Sequence, residues 1–236
     1  MTPRIFDALV FWFPAFLFST TVHEAAHAWT AMKGGDPTAW QGGQVSLSPL
    51  PHMRRSPLGM VVVPLLMSLT QGWTMGWASA PYDREWAERY PRRAAWMAAA
   101  GPAGNLAIAL LAFVLIRAGV VTGLFDAPAQ ATFDRLADPA VANDPFFACA
   151  FLAHGLSVLL MLNVMLFTFN LLPLPPLDGA SVVTLLMPDD ASRRVRASTS
   201  APGFAIVGLF AAWNLFPALT HPLFDGVLAV LYPGQY

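Results

Sequence analysis

The chain has 236 residues, of which 56% are hydrophobic and only 11% charged, and its formal net charge at neutral pH is −1. A soluble domain needs more polar surface than this and a nucleic-acid binder needs a basic face, so both are excluded in favour of a protein that resides in lipid. The single cysteine, Cys149, rules out a disulfide framework and a cysteine-rich structural zinc site.

Lys, Arg, Asp and Glu are absent from 56–82, 94–116, 145–177 and 197–224, and each run exceeds the roughly 20 residues that cross a hydrocarbon core. The first expected element is a long helix over 5–33 that carries His23-Glu24-Ala25-Ala26-His27. Residues four apart share a helix face, so both imidazoles reach one ion while Glu24 stands beside it. Polar residues satisfied on a buried face would be the bland alternative, but ionisable groups inside an apolar span are costly and by default mark function. Lys33-Gly34-Gly35 stops the helix, which sets the metal pair roughly 15 Å below the surface at 1.5 Å per residue. Arg4 followed by an apolar run resembles a signal peptide, yet a run holding the His-Glu-His cluster is expected to be retained.

Residues 42–49 alternate apolar and polar side chains between glycine and proline, the pattern of a short strand or hairpin. Such an element is expected over the active site, where an unwound substrate segment would add to its edge. His52 follows in a predicted loop and is a candidate gate or extra ligand, although a loop histidine is more commonly neither. The apolar segment 57–76 is interrupted by Gly59, Pro64, Gly72 and Gly76. It is flanked by Lys33, Arg54 and Arg55 on one side and by Arg84, Arg89, Arg92 and Arg93 on the other. With both basic loops on one face of the membrane, the segment between them is expected to be re-entrant.

A helix is predicted over 93–117, with Ala100-Gly101-Pro102-Ala103-Gly104-Asn105 permitting close backbone approach and leaving Asn105 as a buried group in need of a partner. The aspartate-bearing connection 118–145 reads as an external loop. A return span over 145–177 ends in Asn170-Leu171-Leu172-Pro173-Leu174-Pro175-Pro176-Leu177-Asp178-Gly179, where the prolines forbid regular helix. Broken backbone at membrane depth must be buried or line a cavity. A catalytic zinc takes three protein ligands and keeps one position for water, and Asp178 is the natural third ligand. It reaches the depth and side of His23 and His27 only if 57–76 re-enters, so charge and metal geometry demand one topology. Arg193, Arg194 and Arg196 then complete an inner face holding ten of the thirteen Lys and Arg. Residues 199–232 are expected to form two helices broken near Pro217 to Pro222, with His221 at an interface.

These elements resemble the site-2 protease family of intramembrane zinc metalloproteases: His-Glu-x-x-His at 23–27, Gly-Pro-x-x-Asn at 101–105, and Asn-x-x-Pro-x-Pro-x-x-Asp-Gly at 170–179. Gly35-Asp36-Pro37-Thr38 and Ser48 to His52 are similar to the compact prokaryotic branch without PDZ or CBS domains. The resemblance implies one Zn2+ per chain on His23, His27 and Asp178, with Glu24 as general base. It also implies that Asn105 and Asn170 line the site near the substrate, together with Gly101, Pro102, Pro173 and Pro175.

The expected fold is an all-α polytopic membrane protein of about five transmembrane helices, a re-entrant segment and a short β-hairpin over the active site. It forms a single domain over 1–236, with a core at about 15–185 and C-terminal helices at 198–232. The expected activity is hydrolysis of peptide bonds in a membrane-spanning protein substrate. The partners are the bilayer and that substrate, with no nucleic acid, and the sequence fixes no oligomeric state. The expected location is a prokaryotic cytoplasmic membrane with the site facing the cytoplasm. The rival readings are a catalytically inactive relative and a membrane metal-ion transporter or sensor. Transport would leave Glu24 without work and lacks a second set of intramembrane carboxylates.

Overall fold

The computed structural model describes residues 3–140, 147–199 and 202–235. Helix α1 (Arg4–Lys33) crosses first, with a wider π turn at Ala8–Trp12. Its end is fixed by the carbonyl of Gly34, which accepts hydrogen bonds from Trp86 Nε1 and Arg93 Nη1 at 3.0 Å each. Two short helices follow, α2 (Thr38–Gln41) and α3 (Pro49–Arg55). They lead into the apolar α4 (Leu58–Gln71), which at roughly 21 Å is too short to cross a core of about 30 Å.

From Gly72, packed against Arg4 near the start of α1, the chain returns without regular structure. The Trp77 amide donates to Gly59 O at 3.0 Å, Arg55 Nε donates to Ser79 O at 3.1 Å, and the Asp83 amide donates to Asp36 Oδ2 at 2.8 Å. The excursion between Asp36 and Asp83 therefore leaves and re-enters on one side, as the basic loops predict. Glycine makes the tight return possible: a Cβ on Gly59 would overlap Trp77 O, and one on Gly76 would overlap Gly59 O. Ser68 Oγ and Thr74 Oγ1 satisfy each other at 2.7 Å inside the fold-back, so no buried hydroxyl is stranded there.

Helix α5 (Arg84–Arg89) starts at Asp83, whose carboxylate caps the Glu85 amide at 2.8 Å. Helices α6 (Pro91–Val121) and α7 (Ala148–Asn170) follow, each long and apolar enough to span. Between them strands β1 (Phe125–Asp126) and β2 (Asp138–Pro139) pair antiparallel. Ile116, Phe125, Leu136, Met161 and Leu231 form the core at this end. Past α7 come the proline-rich turn, α8 (Gly179–Val182), a tighter turn over Val183–Leu186 and α9 (Asp189–Thr199). Arg92 meets Asp189 at 3.3 Å, which puts α9 on the same face as the start of α6. Helix α10 (Pro202–Leu231) completes the fold.

The protein is thus an all-α polytopic membrane protein, with three departures from expectation. Four helices, not about five, are long and apolar enough to span among the described residues. The C-terminal segment is one helix carrying Pro217 and Pro222 inside it, since a helix in lipid tolerates proline where neighbours re-satisfy the freed groups. The hairpin exists, but at the end of α6 remote from the predicted site. Residues 42–49 form no strand because their polar groups are used locally: the Gln44 amide donates to Ala39 O at 2.9 Å, Gly43 takes a φ of +73°, and Ser46 Oγ accepts from the Ser48 amide at 3.0 Å. Asp144, expected in the external loop, lies outside the described residues.

Helix α10 touches the proline-rich turn at a glycine, where a Cβ on Gly208 would overlap Pro175 O. Gly208→Ala is expected to cost ~1–3 kcal/mol of stability through overpacking and to lower cleavage by displacing the turn that carries Asp178. Thermal unfolding in detergent, run beside a cleavage assay, checks both; an unchanged midpoint and rate would show that α10 does not support the turn.

Candidate metal centre

Helix α1 presents His23 and His27 on its buried face, one turn apart, against α6. The proline-rich turn after α7 delivers Asp178 to the same point. His23 Nε2 lies 3.1 Å and His27 Nε2 3.3 Å from Asp178 Oδ2, and the two Nε2 atoms are 2.9 Å apart. Two ligands at about 2.0–2.2 Å from one tetrahedral ion stand roughly 3.3–3.6 Å from each other. This triangle, with sides of 2.9–3.3 Å, is slightly tighter than a filled first coordination shell and opens to it with a few tenths of an ångström of side-chain movement.

The protonation pattern fits as well. His27 Nδ1 faces Met97 O at 2.7 Å, and a carbonyl only accepts, so that nitrogen carries a hydrogen and, in the neutral ring that binds a metal, Nε2 is bare. His23 Nδ1 lies 2.6 Å from Asn105 Oδ1, with the same result. Two lone pairs and a carboxylate oxygen, Asp178 Oδ2, which is buried and has no hydrogen-bond partner, then converge without a proton between them. Three acceptors pointed at one another repel unless a cation sits among them. Gly101 keeps the space open: a Cβ there would overlap both imidazole Nε2 atoms. The residues present therefore fit a divalent ion of the zinc type.

Glu24 is buried in the same helix turn, and its Oε2 has no hydrogen-bond partner. Pro102 removes the amide that would have bonded the carbonyl of Ala98 and loosens the turn from which Met97 O reaches His27. Gly104 faces Val22 and Ala26 of α1, where a Cβ would still lie at ordinary contact distance.

Other expected residues fall elsewhere. His52 stands on helix α3 rather than in a loop; its ring nitrogen bonds Ser46 O at 3.0 Å, and it is not part of the ligand cluster. Asn170 bonds its own helix at Leu166 O, 2.9 Å away. Two residues that sequence reasoning passed over, Ser19 and Asn163, are fully buried beside Asn105. The signal that would have found Asn163 is an amide in the middle of a chargeless span. Asp7, Asp134 and His154 make a second group of ligand-type side chains. There His154 pairs with Asp7 and ties α1 to α7.

A membrane-embedded bundle holding a His, His, carboxylate triangle beside a buried glutamate defines an intramembrane metallopeptidase. The chain belongs to Peptidase family M50, whose model matches residues 11–213, and the site-2 protease resemblance is thereby established. It is similar to "Putative zinc metalloprotease YwhC" of Bacillus subtilis, with 31% identity over 92% of this chain and 90% of that protein. It is also similar to "Putative zinc metalloprotease Rip2" of Mycolicibacterium smegmatis, with 29% identity over 89% of this chain and 68% of the relative. The Rip2 protein of Mycobacterium tuberculosis is 30% identical over 92% of this chain and 70% of its own length. No solved structure gives a significant match.

Proposed function

We propose that the protein hydrolyses peptide bonds of membrane-spanning proteins within or near the bilayer, with one Zn2+ per chain held by His23, His27 and Asp178. The observation that carries this reading is the 2.9, 3.1 and 3.3 Å triangle of Nε2, Nε2 and Oδ2 atoms beside an unpartnered Glu24 carboxylate. Zinc bound there supplies Lewis acidity, which brings the pKa of water down to about 7 and polarises a peptide carbonyl. Glu24 takes one proton from the attacking water and delivers it to the leaving amine as the C–N bond breaks. The water oxygen ends in the new carboxylate, and no covalent enzyme intermediate is required.

A substrate helix must unwind before attack, because its amides are already paired. Residues 42–49 offer no strand edge, so in this reading the unwound segment finds its partners beside Pro173, Pro175 and Asn170, which are not buried, while Gly101, Pro102 and the fully buried Asn105 shape the wall behind the ligand cluster. Ten of thirteen basic side chains sit at the Lys33 end of the spans, which supports a site facing the cytoplasm, and the bacterial relatives favour a prokaryotic cytoplasmic membrane. Residues 1–236 act as one catalytic unit in this reading.

Asp178→Ala tests it. Zinc content after dialysis against a weak chelator, and cleavage of a single-span substrate, should fall together, while the detergent-solubilised protein stays folded. Full zinc occupancy in that variant would remove the carboxylate from the metal and the reading with it.

A further inference from the structure

We propose that Asn163 and Ser19 are positioning residues that set the tautomer of His23, through Asn105, and thereby the zinc affinity of the site. The inference rests on the metal reading above and adds residues outside its motifs. Asn163 Nδ2 lies 2.8 Å from Leu159 O and 2.8 Å from Ser19 Oγ. The atom facing a backbone carbonyl has to be the amide nitrogen, so Asn163 Oδ1 must point the other way, to Asn105 at 2.9 Å. Asn105 then presents Nδ2 to Asn163 and to Ser19 O, 3.4 Å away, which leaves only its Oδ1 for His23 Nδ1. Two backbone carbonyls thus dictate, through two side-chain amides, that His23 carries its hydrogen on Nδ1 and keeps Nε2 bare.

The chain of bonds runs across three spans, from Ser19 on α1 and Asn163 on α7 to Asn105 on α6. All three side chains are 0% exposed. Five bonds are made, and each amide N–H of Asn163 and of Asn105 has an acceptor, so both amides are satisfied. Without Asn163 the Asn105 amide loses its 2.9 Å bond and is held only by the longer 3.4 Å contact to Ser19 O, so it turns over more readily. Its Nδ2 then faces His23 and drives the hydrogen to Nε2, where it blocks the metal.

The test measures zinc affinity by chelator competition on the full chain in detergent. Asn163→Leu should weaken zinc binding about 10–100-fold, the usual effect of removing an outer partner of a metal-bound histidine. Ser157→Ala is the control. Ser157 is equally buried on α7, but it bonds Ala153 O and the Leu136 amide, so this variant should lose thermal stability with zinc affinity unchanged. Nitrogen-15 spectra of histidine-labelled wild type, stripped of metal, give a readout that does not depend on the variant folding: His23 should carry hydrogen on Nδ1. Wild-type zinc affinity in Asn163→Leu, or a His23 Nδ1 that carries no hydrogen in the wild type, would overturn the proposal. A wild type that binds no zinc at all would instead defeat the underlying metal reading.

Discussion

Glu24→Gln should reduce cleavage of a membrane-spanning substrate by about 10²- to 10⁴-fold, the usual contribution of a positioned general base, while zinc stays bound. The separation of the two effects is the informative part. Glu24 shares the buried helix turn of His23 and His27 but is not one of the three convergent ligand atoms, and Gln fills the same volume with a neutral amide. The metal is therefore unaffected, whereas the proton of the attacking water has no base to go to. Zinc lost in step with activity would make Glu24 a ligand. Activity surviving with zinc retained would leave the site without its assigned base.

Gly101→Ala is expected to abolish both zinc binding and cleavage, although it adds a single methyl group. That methyl would fall on the two Nε2 atoms, in a centre that close packing of α1 on α6 leaves no room to expand. The loss of zinc affinity should be at least as large as the 10–100-fold that removal of an outer hydrogen-bond partner typically costs. Gly104→Ala serves as the comparison, because the same methyl there would lie 3.4 Å from Val22 Cγ1 and 3.6 Å from Ala26 Cβ, an ordinary packing distance. One glycine should be indispensable and its neighbour three residues on nearly dispensable; equal tolerance at both would show that the ion does not sit under residue 101.

The cluster of His23, His27 and Asp178 was legible in the sequence because two independent constraints met there. Helical spacing pairs His23 with His27, and charge bias sets the side on which Asp178 emerges. The same bias foretold the fold-back between Asp36 and Asp83. The hairpin over 42–49 was misread because alternation over so few residues competes poorly with local turns, and both Gly43 and Ser46 use their backbone freedom or side chain to make one. Pro217 and Pro222 suggested a break by rules suited to helices in water. In lipid the helix is the cheapest way to satisfy the backbone, and α10 continues through them. Asn163 and Ser19 escaped notice because they are neutral, and a search for charge inside apolar spans passes over them. The role proposed for them rests on partners on other helices, at separations no local pattern reveals. Gly208 is similar: only the tertiary approach of Pro175 explains why a side chain is excluded there.

The most direct measurement is an anomalous difference map at the zinc edge from crystals of the full chain. A single peak per chain, about 2.0–2.2 Å from His23 Nε2, His27 Nε2 and an Asp178 carboxylate oxygen, is the expected result. A peak centred elsewhere, or one bound by the histidines with Asp178 turned away, would contradict the convergence of α1 and the proline-rich turn on one ion.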